Sequence, residues 1–486
     1  MSIKIFSSLT QKRGREVSFC LDMSNLRSYI LCILALGVCT KAHIESWAEA
    51  DDMKSSDQLH KTTSQNCEDF VGDTEKDQPV VPYDSDQVMK SFLTYYFAPW
   101  EDPFKFYNIN QLQEELTKKN EQLSKKPGWG LNRHPVSADQ LADIIQNIDL
   151  ATFPNLKQCA IVVRPTNLRG VPCEKTSFTH VKHTGGGYPF DNWQESLLSP
   201  NEPICVLHTS KNNVWNFVIT GSHICGWVQR ADIAYTTPKF IAQWQTGQYV
   251  TPLCDNVSVK DNISAPLARV GQLMPLVREQ NSQEKHQVLT VATNPSGWAI
   301  TKVSAVSKAD TVVMPLLATP NNMARMANGL MGQPYGWGGM EGYRDCSSII
   351  KDLLMPFGIW MPRDSGPQSK AGTFVALEGL NNDQKEQVIR EQGIPFFSLI
   401  WMPGHVGLYL GAKEEKVYMY NDLWGLRTSS STGQEGRAIV GQVAITQLDL
   451  GKEYSNIKQT LLDKSVGLIL LNDRLIVPHK RLELFK

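Results

Sequence analysis

PYGWGGMEGYRDCSSIIKDLLMPFGIW, residues 334–360, places a glycine- and aromatic-rich loop directly before an apolar helix. Ile349, Ile350, Leu353, Leu354 and Phe357 recur at spacings of three and four, so one face of that helix belongs in a core. Asp345 is of a type that caps helix N-termini, which puts Cys346 in the first turn at the positive end of the helix dipole. A thiol there is expected to ionise more readily, and the thiolate is the nucleophile. Downstream, HVGLYLG (405–411) alternates like a strand, AKEEK turns, and VYMYND (417–422) returns. A hairpin centred on Lys413 sets Asn421 directly across from His405. Its amide would accept the imidazole N–H and hold the ring toward Cys346. Cys346 would attack, His405 would move the proton, and Asn421 would orient. Taken singly, Cys346 reads as a buried structural thiol and His405 as a packed strand-end histidine. Only their joint geometry favours chemistry.

A chain of 486 residues exceeds one core and predicts about three domains. Its 48 basic and 49 acidic residues balance, so no basic stripe points to nucleic acid. Arg27 followed by YILCILALGV (29–38) and the small residues Thr40 and Ala42 has the form of an export signal cleaved after Ala42, with Met23 as an alternative start. The apolar run is too short to span a bilayer. A lipid anchor at Cys39 fits less well, since Val38 is bulky where a small residue is wanted. Past the signal and Cys346, six cysteines remain: Cys67, Cys159, Cys173, Cys205, Cys225 and Cys254. They read equally as three disulfides of an exported protein or as buried thiols. Their spacing lacks paired CxxC units, and no metal or cofactor is called for. Gly185-Gly186-Gly187 lacks the Lys-Ser/Thr of a phosphate loop.

The periodicity divides the chain. Residues 1–42 form the signal, and the polar stretch 43–86 reads as a disordered tether. A helical segment spans 87–158, including SADQLADIIQNI with a Ser137/Gln140 capping box. Short strands with Asn, Gly and Pro turns then predict two small β-barrels, 159–236 and 237–312, each with a Gly-Trp before an apolar alternation (Gly226-Trp227 and Gly297-Trp298). The Cys346 region occupies 313–486.

Cysteine at a helix start, then histidine on a strand, is the order of a papain-like peptidase. PYGWGG, Asp345-Cys346-Ser347 and GHVGLYLG resemble the motifs of the NlpC family of papain-like bacterial cell-wall peptidases. YFAPW, TNLRGVP, YPFDNWQ and NDLWG resemble its multidomain exported members from about residue 90 onward. The resemblance implies a multidomain fold: an α+β papain-like catalytic domain preceded by two small all-β SH3-like barrels and a helical, clip-like N-terminal segment. Many members carry His where this chain has Asn421. The implied reaction is hydrolysis of the γ-D-glutamyl–diamino acid bond of peptidoglycan stem peptides or muropeptides, by a monomer in the periplasm or cell envelope. Asp345 would bind a free L-alanine amine, Ser347 and Ser365 the peptide backbone, and Tyr335 the substrate or oxyanion. Asp191 and Gln194 of YPFDNWQES would reach the cleft from the first barrel. Two other readings stay open: a non-catalytic wall-binding protein, and an amidase or acyl transferase with the same nucleophile.

Overall fold

Three helices open the part of the chain that the computed structural model describes, residues 63–471 without 278–282 and positions 74, 106, 126, 184 and 434. The expected signal, Cys39 and the Ala42 boundary lie outside the described residues. Asp84 caps α1 (Ser85–Tyr96) by accepting from the N–H groups of Asp86 and Gln87. Helix α2 (Ile109–Lys125) follows, and Ser137 caps α3 (Ala138–Ile148) through the N–H of Gln140. The apolar faces of α2 and α3 do not meet water. Leu112, Leu116, Leu141, Ile144 and Ile148 share one core with Trp193, Trp215, Phe217 and Trp227 of the next region.

That region is a seven-stranded antiparallel sheet, ordered β3-β2-β6-β5-β4-β1-β7. Its strands are β1 (Gln158–Val162), β2 (Thr166–Arg169), β3 (Gln194–Leu198), β4 (Pro203–Thr209), β5 (Trp215–Thr220), β6 (Cys225–Gln229) and β7 (Ile233–Tyr235). Strands β4 and β5 are almost wholly buried, as expected when both faces are covered, one by the helices and one by the sheet's own interior.

The second set of strands is more broken than the sequence predicts. Strands β8 (Tyr249–Pro252), β9 (Val257–Ser258), β10 (Leu267–Ala268), β11 (Met274–Pro275), β12 (Lys285–Thr293), β13 (Ala299–Ser307) and β14 (Thr311–Val313) form three small sheets. Only the β12–β13 hairpin is long. β8 and β11 each end in a proline, which brings no N–H to a ladder. Isolated bridges at Lys260–Ala305 and Leu276–Val288 tie the hairpin to the rest.

The last region is built on a six-stranded antiparallel sheet, ordered β15-β20-β16-β17-β18-β19. It comprises β15 (Thr373–Ala376), β16 (Ser398–Met402), β17 (His405–Lys413), β18 (Lys416–Ser429), β19 (Glu435–Gln447) and β20 (Gly467–Leu470). Helix α4 (Pro320–Asn328) leads in, and α5 (Cys346–Leu354) buries Ile349, Ile350, Leu353 and Leu354 against Val406, Leu408, Leu410 and Tyr420. Helix α6 (Asn382–Gln392) contributes Ile389 to a second cluster with Met402, Tyr409 and Met419. No helix among the described residues is long and apolar enough to cross a membrane.

One expectation is corrected here, and one open choice is decided. The stretch predicted as a tether is, from residue 63, a strap on the last domain. Cys67 is fully buried in the core of α4 and α5, and Gln65 exchanges hydrogen bonds with the backbone of Ile445. Asn328 accepts from the Cys67 N–H, and the Tyr83 hydroxyl accepts from that of Ala318. A few apolar residues spaced through a polar stretch suffice when a preformed groove receives them. The six cysteines form no disulfide: Cys67, Cys159, Cys173, Cys205, Cys225 and Cys254 are free thiols, although Cys159 and Cys205 stand opposite each other on β1 and β4. Cys67 and Cys205 serve as small core hydrophobes.

Arg344, 1% exposed, joins the strap of sequence before Cys346 to the broken β region. Its guanidinium reaches Asp255 (2.6 Å), Asp352 (2.7 Å), the Gln333 amide oxygen (2.8 Å) and the Val270 carbonyl (2.8 Å). Arg344→Met would leave the buried Asp352 and Asp255 with less positive charge to answer them. Chemical denaturation should show a loss of roughly 3–5 kcal/mol, the usual cost of breaking a buried pair by removing one partner. A midpoint unchanged from wild type would refute the network's structural weight.

Candidate active site

Asp345 caps α5 and so fixes where Cys346 sits. Its carboxylate accepts from the Ser348 N–H (2.9 Å), while the Ser348 hydroxyl accepts from the Asp345 N–H (2.8 Å). The same carboxylate is gripped by both terminal nitrogens of Arg363, at 3.0 and 2.6 Å, and by the N–H of Gly338 at 2.9 Å. Burial alone would push this acid up, but the Arg363 charge and these hydrogen bonds hold it below the usual carboxylate range. Asp345 is therefore an ionised cap paired with Arg363.

Gly338 and Gly339 are at positive φ, 59° and 86°. A Cβ on Gly338 would lie 2.9 Å from the Gln194 carbonyl oxygen, and one on Gly339 would lie 2.7 Å from the Leu197 nitrogen. Glycine is required because the loop passes directly against β3. Gln194 returns the contact, its amide donating to the Gly338 carbonyl at 2.9 Å. This is not the exposed polar contact expected of it: its oxygen is taken by Arg169 (2.6 Å). Asp191 is likewise sealed, 0% exposed, and bonded to Arg169 (2.7 Å) and the N–H groups of Ser177 and Trp193. Both residues hold the barrel wall in place, and the wall presents other side chains. Phe190 packs on Trp337 and Trp424, Tyr188 on Trp424, and Trp337 donates to the Asp191 carbonyl.

His405 and Asn421 come together as expected, by a different register. β17 and β18 pair Leu408 with Tyr420 and Tyr409 with Met419, after a bulge between Tyr409 and Gly411. Continuing that ladder sets Asn421 opposite Gly407, two residues from the predicted partner. The shift is even, so the face is preserved. His405 Nε2 lies 3.0 Å from Asn421 Oδ1 on the diagonal. Gly407 makes room, for a Cβ there would lie 2.9 Å from that of Asn421. The Asn421 NH₂ donates to the Ala444 carbonyl (3.2 Å) and the Thr446 hydroxyl (3.0 Å). With its nitrogen committed, the amide presents oxygen to the ring. Nε2 therefore carries the proton, and Nδ1 is left as the base.

Cys346 shares its core cluster with Val406, and the Val406 N–H near the sulfur partly offsets the burial of the thiol. Burial pushes the Cys346 thiol up, and the nearby Asp345 and Asp422 carboxylates add to it. This runs against the expectation from the helix dipole: desolvation and the Asp345 charge push the other way. Burial also lowers the His405 imidazole to about 4, opposed by its bond to Asn421. At rest the thiol and the imidazole are both uncharged.

Tyr335 is buried, with its ring 5.8 Å from that of Trp424. Burial, then Cys346 and Asp345, raise its phenol well above the ordinary value, so it stays a donor. Ser347 donates to Asp345 (3.2 Å) and accepts from Arg363 (2.8 Å). Ser365 is half-buried at the start of the turn Ser365–Gln368, and Gln368 bonds the Ser347 carbonyl at 2.9 Å. Sequence reasoning missed Arg363, although it stands in the same MPRDSGPQ stretch as Ser365; a buried acid beside Cys346 called for a cation. It also missed Asp422, 0% exposed, with neither oxygen hydrogen-bonded among the described residues. Burial and the Asp345 charge keep Asp422 protonated well above its ordinary value.

Comparison with known proteins now bears on this geometry. The NlpC/P60 family model matches residues 332–434, the span from the glycine loop through β18. That region of the chain is an NlpC/P60 domain. An SH3 domain of the SH3b1 type matches 177–229, and an N-terminal NlpC/P60 stabilising domain matches 28–153. The second β region is matched by neither SH3 model nor continuous barrel, so one SH3 domain is established where two were expected. A γ-D-glutamyl-L-lysine dipeptidyl-peptidase of Bacillus subtilis is 35% identical over 82 residues, 17% of this chain and 26% of that protein. One of the same name from Bacillus cereus is 35% identical over 82 residues, 23% of its length. The chain thus spans about a quarter of these curated relatives. A solved structure described as a novel NlpC/P60 endopeptidase, from Photobacterium damselae subsp. piscicida, superposes with a TM-score of 0.76 at 24% identity, covering 84% of this chain and 97% of that one. It shares the fold.

Two outcomes test the site. Because His405 is depressed to about 4, its base form persists from neutral pH down to that value, and activity is lost only as pH falls through it. The acid limb of kcat/KM should therefore lie near 4; a limb near 6.5 would mean a solvated imidazole. Asn421→Ala should lower kcat by roughly a hundredfold, within the range a positioned base contributes, measured below the unfolding transition, which the lost buried hydrogen bonds will lower.

Proposed function

We propose that this protein is a cysteine endopeptidase of the bacterial cell envelope that cleaves the γ-D-glutamyl–diamino acid bond of peptidoglycan stem peptides. The observation that carries it is the bond between His405 Nε2 and Asn421 Oδ1, on a strand whose Val406 packs in the same core as Cys346 at the start of α5. Nδ1 of His405 takes the thiol proton as sulfur attacks the γ-glutamyl carbonyl. The oxyanion forms beside the α5 N-terminus and the Tyr335 hydroxyl. Collapse breaks the amide bond, the imidazolium returns its proton to the leaving amine, and a thioester remains. Water, deprotonated by the same nitrogen, then frees the enzyme and a γ-carboxyl product.

The relatives named for dipeptidyl release support the finer reading that the substrate carries a free L-alanine amine. An ammonium would join the Asp345–Arg363 pair beside the nucleophile, with Ser347 and Ser365 along the peptide. The aromatic wall of Tyr188, Phe190, Trp337 and Trp424 would limit what lies beyond the amine. The broken β region over 237–312 is proposed as a divergent second SH3-like unit, supported by its short antiparallel strands. Export to the envelope is proposed on the family and the signal-like run at 29–38.

Defined stem peptides with free and acetylated L-alanine, analysed by mass, test this reading. Free-amine peptides should be cleaved about ten- to a hundredfold faster, the worth of one charge-assisted contact. Cys346→Ala should leave both intact. Equal rates would favour action on intact wall, release at the L-alanine amide would mark an amidase, and no cleavage by wild type would leave a wall-binding protein.

A further inference from the structure

A second cavity lies apart from the catalytic residues, between α2 with the following segment 127–135 and the first barrel. It measures ≈ 650 Å³, within the roughly 300–1,000 Å³ usual for small-ligand sites. Trp129 and Phe178 line its back and exchange both backbone hydrogen bonds, at 2.9 and 2.8 Å. That edge is satisfied, so an extended peptide has no strand to join. Recognition falls to side chains.

Those side chains have a definite chemistry. Trp129 is half-buried, with its indole ring roughly perpendicular to that of His180 at 4.4 Å between centroids. Gln122, Thr179 and Asn192 are exposed around it, and their side-chain groups have no partner among the described residues. The one lysine of the lining, Lys119, is answered by Glu195. A flat aromatic face, neutral amides and a hydroxyl, with the one lysine paired, suit a neutral ring that is apolar on its faces and polar at its rim. A phosphate or carboxylate ligand would want the opposite balance.

We propose that this groove binds a pyranose of the N-acetylhexosamine type, its C–H face on Trp129 and its hydroxyl and acetamido groups on Gln122, Thr179 and Asn192. The segment that closes the groove at Asn192 also carries Tyr188 and Phe190 to the catalytic wall. A bound glycan would hold the enzyme on sugar-bearing material by a surface other than the one that cuts. The site stands on its own residues, whatever bond Cys346 attacks.

The full chain should be titrated with the β-1,4-linked tetramer of N-acetylglucosamine by calorimetry and tryptophan fluorescence. Saturable binding at about 1 mM or tighter is expected, weakened about tenfold or more in Trp129→Ala. Asn192→Ala and Gln122→Ala, both at exposed positions where folding is not at stake, should each weaken it as well. Cleavage of a short sugar-free stem peptide should be unchanged in all three variants. Absence of saturable binding by wild type, binding untouched by all three substitutions, or displacement of the sugar by the stem peptide would each overturn the proposal.

Discussion

The buried pair between Arg363 and Asp345 organises this molecule. Asp345 alone would be a helix cap of modest worth, and Arg363 alone a charge that cannot stay inside. Together they fix the start of α5, the glycine loop through Gly338, and Ser347. The remaining Arg363 nitrogen, Nε, donates to the Ser196 hydroxyl of β3 at 2.8 Å, so the same guanidinium ties the first barrel to the nucleophile's helix. Its backbone N–H is also held by Ser222, and the neighbouring Trp360 by the Gly221 carbonyl. The barrel is thus part of the catalytic wall, with its position set by the residue that neutralises the cap.

This arrangement has an electrostatic consequence. Three acids or near-acids surround the sulfur: Asp345 ionised, Asp422 protonated and Tyr335 neutral. In a dry pocket burial and the Asp345 charge oppose a resting thiolate, and burial equally opposes an imidazolium. On the proposed mechanism the nucleophile would be generated only when a proton moves from sulfur to Nδ1 with substrate in place, so that no oxidisable thiolate stands idle.

Much of the site was legible because its parts are local. The i, i+3, i+4 stripe from Ile349 to Phe357 and the Asp345 cap place Cys346 without knowledge of any partner. His405 and Asn421 were readable through strand parity, which tolerated an error of two in register because two residues return to the same face. The ion pairs were not legible. Arg363 with Asp345, and Arg344 with Asp255, are separated in sequence by loops whose paths no periodicity reports. Asp191 and Gln194 look exposed in a polar stretch and are buried because Arg169 folds back onto them.

Residue pattern by itself determined the helix that carries Cys346, the strand that carries His405, the parity that unites His405 with Asn421, and the change from helix to β structure near residue 158. These depend on short-range steric preference and on alternation of apolar side chains, both written in neighbouring letters. Tertiary structure alone decided the protonation state of the site, the docking of residues 63–83, the free state of the thiols and the union of barrel with catalytic domain. Each of these depends on which distant groups exclude water from a charge or a thiol, and desolvation is a property of the assembled volume.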